Sequence, residues 1–545
     1  MLERVRGRLQ RRRGSRRSYR QLLAGIDQTL PQGPSCVVLL NTSVPDRVAE
    51  RIRLTHPEAV VHEVTGTPSD RHVRLTLLGP VDLIVDERPG PGQAKRFLAS
   101  FYQLGPGGAM ILRDGKESGE KLSELFEAAR AAKGQPYPSN KRGVPNAALD
   151  AHGLGSVLES TTEVGPHLVA ATRGGPILAK LREDEMNRYL AGLPAGGDRV
   201  LEVIPAEPFE SRCVLRENTE TRRPDYPERY DTIDLSLRLY HEMVVTPGQV
   251  LSNDRILAPD SYRHNQFPRL RNRHTEEVAP RFARLRHETA DLPRLAGTYF
   301  YLDNEVRGHF GHLVTEQLSR FWAWSRAREF DRSVKAVVTI NKGHDLRGWE
   351  SEIYAAGGIT PQDVVFLREP TRLERVISGT PMLSNPHYVH PSIADTWRAV
   401  GDRLAATAAD SDVPEQFFCS RRLNKRSCHN TPEVEELFAA QGFAIVFPED
   451  YSLGEQVRLF RKARVIGGFA GSGLFNLCYA GDSKRVIMIS STAYTARNEY
   501  LIASVLGHQI DSVTCVPDNP GFYQSPFAFD PGREGTFLQS VFASL

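Results

Sequence analysis

The chain has 545 residues, 40% of them hydrophobic and 25% charged, with a net charge of +3; that is too long for one core and ordinary in composition, so two to four folded domains are expected. No apolar run reaches the roughly 18 residues that cross a bilayer, and the N-terminus lacks the apolar stretch of a secretory signal, so a cytoplasmic location is expected. Six scattered cysteines (Cys36, Cys213, Cys419, Cys428, Cys478, Cys515) include no C-x-x-C pair, which argues against a zinc site and a disulfide framework.

The first twenty residues hold nine arginines against one acid, Glu3. The basic character therefore belongs to this tail, residues 1–20, and the rest of the chain is net acidic. Leu2, Val5 and Leu9 form an apolar stripe beside the charge, which suits peripheral contact with an anionic membrane surface; a solvated tail is the alternative. Nucleic-acid binding is not expected, because nothing further along continues the basic surface. Arginine in excess of lysine, with much alanine and glycine, points to a GC-rich bacterial genome.

A first domain is expected over 20–175. Apolar runs at Cys36–Leu40, Ala59–Val64, Val81–Val85 and Ala109–Leu112 alternate with helix-like segments at Pro45–Thr55 and Glu117–Lys133, the pattern of a parallel sheet with crossover helices. The run Val81-Asp82-Leu83-Ile84-Val85-Asp86, then a helix, then Leu104–Asp114 resembles the fourth and fifth strands of class I S-adenosylmethionine-dependent methyltransferases, with 153–172 as the closing hairpin. Such enzymes carry a glycine-rich turn after the first strand. Here the chain reads Leu40-Asn41-Thr42-Ser43-Val44-Pro45, so the expectation is a methyltransferase-like Rossmann domain that has lost its cofactor, with an active methyltransferase as the alternative. Glu63 is either a ribose ligand or an ordinary strand-end acid.

Gly/Pro-rich stretches at 135–148 and 172–200 suggest the boundary. Short strands near Val200–Ile204, Tyr240–Val245 and Gln249–Leu257 lead into a series of strands at Val334–Ile340, Val364–Leu367 and Val376–Ile377. After a Pro-rich passage and a helix over Ser392–Ala408, a second α/β series follows: strands 415–420, 443–447, 464–468 and 485–490, with helices 432–441, 452–462 and 472–479 between them. Two α/β lobes, 200–390 and 391–545, are expected.

Three segments carry chemistry. At 464–479 an apolar strand runs into Ala470-Gly471-Ser472-Gly473 and an apolar helix, presenting backbone N–H groups to an anion; a plain tight turn is the alternative. At 417–430 a second strand delivers Arg421, Arg422, Lys425 and Arg426 at its carboxyl end. Ligands of open α/β sheets sit outside the carboxyl ends of the strands, so the two segments together read as a diphosphate site. In Arg307–Trp322, a helix beginning near Gly311 puts His312 and Glu316 on one face, a pairing suited to general-base work, or else a capping histidine beside a surface acid.

The order of these pieces resembles glycosyltransferase family 61, the DUF563 group. The matching positions are His312 and Glu316, then Ser420 and Arg421, then Arg426, Asn430 and Glu433. They continue through Gly442-Phe443, Pro448-Glu449 and Gln456 to Gly471-Ser472-Gly473 and Asn476. The resemblance covers about 200–545 and implies a two-lobed GT-B-like α/β fold with an acceptor lobe and a nucleotide-sugar lobe. It further implies inverting transfer of a sugar from a nucleotide-sugar donor to a glycan or cell-envelope polysaccharide acceptor, with no cofactor and no metal required. His312 assisted by Glu316 is then the base, Arg421 and Arg426 meet the diphosphate with the turn at Gly471, Ser472 and Gly473, and Asn430 and Asn476 orient donor oxygens or hold the turn. Two departures stand out: Ala470 replaces a histidine that many members place before the turn, and Val486–Ser490 ends without the acid that many use to hold ribose. Two other readings remain, a methyltransferase working through the first domain and a non-catalytic scaffold.

Overall fold

Val37–Leu39, Leu83–Val85 and Ala109–Leu112 are buried on both sides of one sheet, as continuous apolar runs must be when strands run parallel and helices cover both faces. The computed structural model describes residues 17–545 except 31–32, 34, 43, 114–118, 139–142, 219–225, 262–268, 270–271, 341–345, 410–412 and 423–425. It divides into two units, one of residues 1–200, 240–295 and 369–374, the other of 201–239, 296–368 and 375–545. Residues 240–295 thus cluster with the N-terminal part of the chain. Among the described residues no helix is long and apolar enough to cross a membrane. Most of the basic tail lies outside the described residues.

The first unit contains a six-stranded sheet in the order Ala59–Glu63, Ser35–Leu39, Val81–Asp86, Leu104–Arg113, His167–Thr172, Leu158–Val164. The first four strands are parallel, and the last two form the expected antiparallel hairpin. The period of two sorts the side chains: Val37, Leu39, Leu83 and Val85 pack with Val48 and Ile52 of helix Pro45–Thr55, while Val38, Ile84 and Met110 pack with Leu75, Phe97 and Phe101 on the other face. Helix Pro68–Leu78 starts on a reciprocal cap, Thr67 Oγ1 accepting from Asp70 N and Asp70 Oδ2 from Thr67 N.

At the carboxyl end of this sheet one acid is held by protein donors. Asp86 is fully buried and accepts from Asn41 Nδ2 at 2.8 Å, Arg88 N at 3.1 Å and Arg96 Nε at 3.4 Å. Asn41 stands where a glycine turn would admit a cofactor, and Glu63 is exposed at the end of its strand. Elsewhere in the unit, Leu178–Lys180 pairs with Ile256–Leu257 and Phe282–Leu285, and a buried ion pair joins Lys180 Nζ to Glu277 Oε2 at 2.5 Å.

The second unit holds two α/β layers. In one, Arg294–Tyr301, Lys335–Thr339 and Val364–Leu367 run parallel. The other is a six-stranded parallel sheet ordered Val214–Glu217, Gln509–Cys515, Arg485–Ser491, Val465–Phe469, Gln416–Cys419, Ala444–Val446. Val214–Glu217, far away in sequence, supplies its edge. From Gln416–Cys419 the chain goes outward to Ala444–Val446 and then back to Val465–Phe469 on the other side, so the order reverses between these strands. The crevice at such a switch point is where open α/β sheets take ligands.

Candidate functional site

Both segments singled out by their chemistry leave the sheet at that switch point. Strand Gln416–Cys419 ends in Ser420, whose hydroxyl donates to Glu435, and in Arg421. The Arg421 guanidinium lies 4.9 Å from the Phe469 ring centroid, donates to Ala470 O at 3.4 Å and donates to the carbonyl of Arg426. Burial, and then the neighbouring Arg426 charge, bring its pKa down to about 10; it stays cationic at neutral pH, in a place where an anion would be welcome. Arg426 sits at φ +54, a left-handed conformation unusual for a branched, bulky chain and typical of functional loops. Among the described residues neither Arg421 nor Arg426 is ion-paired, whereas Arg422 between them is held by Asp450 at 2.5 Å. Lys425 lies outside the described residues.

Strand Val465–Phe469 runs into the glycine turn. Gly471 has φ +139, and a Cβ there would lie 3.0 Å from the Arg426 guanidinium, so glycine is what lets that charge reach the turn. Its N–H donates to Glu499 Oε1 at 2.7 Å, and the Tyr494 hydroxyl donates to the same carboxylate at 3.2 Å. Glu499 is fully buried, and burial pushes its pKa up to about 7. Leu474 N bonds back to Gly471 O at 3.0 Å. Ser472 and Gly473 open the helix, and their N–H groups have no hydrogen-bond partner among the described residues, which leaves two donors for an anion. The expected α-helix over 472–479 is instead a tighter 3-10 helix, Ser472–Tyr479, with every residue from Leu474 to Tyr479 buried.

The two asparagines have different surroundings. Asn430 is spent on the protein: it brackets Phe529, donating to its carbonyl at 2.9 Å and accepting from its N–H at 3.0 Å. It also donates to Glu433 at 2.9 Å. Asn476 donates to Gln456 Oε1 at 2.9 Å, while Gln456 Nε2 donates to Pro448 O and Tyr451 O. Those two carbonyls fix which end of each amide faces which. The Asn476 Oδ1 is buried without a hydrogen-bond partner among the described residues.

His312 and Glu316 meet as the spacing implied, Nδ1 to Oε1 at 2.9 Å, with Asn304 donating to the other carboxylate oxygen at 3.2 Å. The expected regular helix is not regular: an α turn, Phe310–His312, widens into a π turn at Leu313–Gln317. Gly311 packs against the glycine turn so closely that a Cβ would lie 2.9 Å from Phe475 and 3.1 Å from Ser472 Cβ. A cavity of about 650 Å³ results, walled on one side by Arg421, Ser472, Gly473 and Asn476 and on the other by His309, Phe310 and Trp349. His309 lines it; His312 stands behind, the two rings 4.9 Å apart. Among the described residues no group of three His, Cys, Asp or Glu is placed to hold a metal ion.

Residues 310–487 match the family model described as Glycosyltransferase 61. This stretch of the chain is similar to glycosyltransferase family 61. The family indicates a glycosyltransferase, and its match spans His312, Glu316, Arg421, Arg426, Asn430, the glycine turn and Asn476. His309 falls just outside the matched stretch, as do Tyr494 and Glu499, which motif order did not bring out. The one sequence signal for Glu499 is its position as the single charge in helix Asn498–Leu506.

No curated protein matches the chain. Two solved structures similar to part of it are methyltransferases. One is the MycE methyltransferase from the mycinamycin biosynthetic pathway, in complex with Mg and SAH, at 14% identity and TM-score 0.22, covering 29% of this chain and 48% of that one. The chain thus spans about half the length of that protein. The other is the release factor-specific protein-(glutamine-N5) methyltransferase of Alicyclobacillus acidocaldarius, at 17% identity and TM-score 0.19, covering 28% of this chain and 90% of that one. Likenesses this slight carry no argument about this chain.

Proposed function

We propose that the chain transfers a sugar from a nucleotide-sugar donor to a glycan acceptor of the cell envelope or capsule, by single displacement with inversion. The reading rests on one observation: two guanidiniums without an ion-pair partner and two backbone amides without a hydrogen-bond partner among the described residues meet at the switch point, Arg421 and the amides lining the cavity with His309 and Arg426 reaching the turn at Gly471. In the reaction the acceptor oxygen forms its bond to the anomeric carbon as the bond from that carbon to the diphosphate oxygen breaks. The electron pair leaves with the diphosphate, and the acceptor proton goes to an imidazole. Arg421, Arg426 and the Ser472 and Gly473 amides meet the charge that develops on the leaving group. With that much positive charge supplied by the protein, the mechanism calls for no metal.

His312 is assigned as base, its Nδ1 held by Glu316 and its other nitrogen left to take the proton. Asn476 Oδ1 is assigned to accept a hydrogen bond from a donor hydroxyl, while Asn430 holds the loop that carries Arg426. Of the expected lobes, 200–390 and 391–545, we assign the parts that lie in the second unit as the acceptor and donor lobes of a GT-B-like pair. Residues 20–175, within the first unit, are assigned as a methyltransferase-like domain without methyltransferase chemistry, a reading supported by Asp86 being engaged by Asn41 and Arg96. The setting is the bacterial cytoplasm, with the basic tail drawing the enzyme to the inner face of the membrane.

Ligand-observed NMR across a panel of nucleotide sugars tests this reading. Wild-type protein should bind one nucleotide class, and Arg421→Ala should weaken that binding about ten- to a hundredfold while leaving the fold intact. Equal binding by both proteins would remove Arg421 from the site.

A further inference from the structure

Outside the cavity, beyond Arg426, the second unit displays two neighbouring large aromatics to solvent. Phe522 is 43% and Tyr523 44% exposed, neighbouring ring faces that a bound ligand could cover with a gain in apolar burial. The loop that carries them is rigid by its own hydrogen bonds: Asn519 N donates to Ser525 Oγ at 2.8 Å, Gly521 N to Asn519 Oδ1 at 3.0 Å, and Ser525 N to Phe522 O at 2.8 Å. It is also tied to the loop of Arg426. His429 N donates to Phe527 O at 2.8 Å, Phe527 N to Ser427 O at 3.1 Å, and the His429 ring meets Asp518 at 2.8 Å.

The consequence is a tilted stack, the Tyr494 and Tyr523 ring centroids 5.9 Å apart with their planes 37° from parallel and the Arg426 guanidinium against both. The Arg426 guanidinium lies 4.5 Å from the Tyr494 ring centroid and 5.6 Å from that of Tyr523, and it donates to the Tyr523 hydroxyl at 3.4 Å. Tyr494 forms the buried floor, anchored on Glu499. Tyr523 forms the exposed end. The same guanidinium touches Gly471 of the anion-binding turn, so the stack begins where a diphosphate would end. A flat, preorganised aromatic face beside a phosphate-reading arginine is what a nucleobase needs, since every base has a π face to set against it.

We propose that Tyr523, flanked by Phe522, is the platform on which the nucleobase of the donor stacks, Arg426 bridging base and diphosphate. The proposal rests on the nucleotide-sugar reading of the turn. It also answers a gap in that reading, because strand Arg485–Ser491 ends without an acid to hold the nucleoside.

The test measures binding of UDP, GDP, CDP, ADP and inorganic pyrophosphate to the full chain and to Tyr523→Ala and Tyr523→Phe. Pyrophosphate carries the anion without the base. Tyr523→Ala should weaken the best-bound nucleoside diphosphate roughly tenfold and leave pyrophosphate unchanged, and Tyr523→Phe, which keeps the ring, should retain the nucleotide. An equal loss of pyrophosphate and nucleotide would overturn the proposal, since Tyr523 would then only hold Arg426 in place. So would unchanged nucleotide binding in Tyr523→Ala. If wild-type protein bound neither pyrophosphate nor any of the nucleotides, the diphosphate reading itself would fall, and the platform with it.

Discussion

The imidazole of His312 is oriented by a carboxylate 2.9 Å away, yet His309 is the ring on the cavity wall. This arrangement gives the two histidines separable consequences. His312→Ala should lower turnover by about 10²–10⁴ with donor affinity nearly unchanged, because the lost interaction matters only as the acceptor proton moves. Steady-state kinetics beside donor titration measures both. Near-normal turnover in His312→Ala together with a collapse in His309→Ala would transfer the role of base to His309.

Glu499 makes a different prediction, one of stability against pH. Its carboxyl titrates near 7 in the folded chain, chiefly through burial, against an ordinary value of 4.5. Below about pH 4.5 both folded and unfolded chains hold the proton and the group costs nothing. As pH rises towards 7 the unfolded chain ionises first, so stability is lost across that window and levels off above it. Glu499→Gln does not titrate. Its melting temperature relative to wild type should climb from pH 5 to pH 8, an effect worth roughly 3 kcal/mol at most, and a difference that stays flat would show that the carboxyl titrates normally. Motif order missed this residue because it lies 28 positions after the amide it holds, a distance only the folded sheet closes.

At the scale of elements, the sequence carried the strands well and the turns less well. Apolar runs in α/β alternation located Gln416–Cys419, Val465–Phe469 and helix Leu453–Lys462, which the structure starts on a Ser452/Glu455 capping box. Periodicity gave no warning that 472–479 winds as a 3-10 helix or that Leu313–Gln317 widens, because those departures answer to packing between the two turns. Gly311 is where they meet. Gly311→Ala should force Phe475 and Ser472 apart, given the 2.9 and 3.1 Å approaches, and so lower turnover strongly with only a small fall in melting temperature. If activity were unaltered, the contact between the turns would have no bearing on catalysis.

At the scale of the whole chain, the parallel core of the first unit was readable from its buried strands, whereas the clustering of residues 240–295 with that unit was not. Local patterns carry no information about which sheet a strand joins, and Val214–Glu217, pairing with Gln509–Cys515, makes the same point in the second unit. The carboxyl ends of the two sheets differ. In the first unit Asp86 accepts from both Asn41 and Arg96; in the second, Arg421 and Arg426 have no ion-pair partner, and the Ser472 and Gly473 amides no hydrogen-bond partner, among the described residues.

Hydrogen–deuterium exchange on the full chain compares these two ends in one experiment, with a mixture of common nucleotide sugars and, separately, with S-adenosylmethionine. Nucleotide sugars should slow exchange in 417–430 and 468–479, leave 35–113 unchanged, and S-adenosylmethionine should protect neither. Protection of 35–113 by either ligand, with none at the glycine turn, would contradict the account.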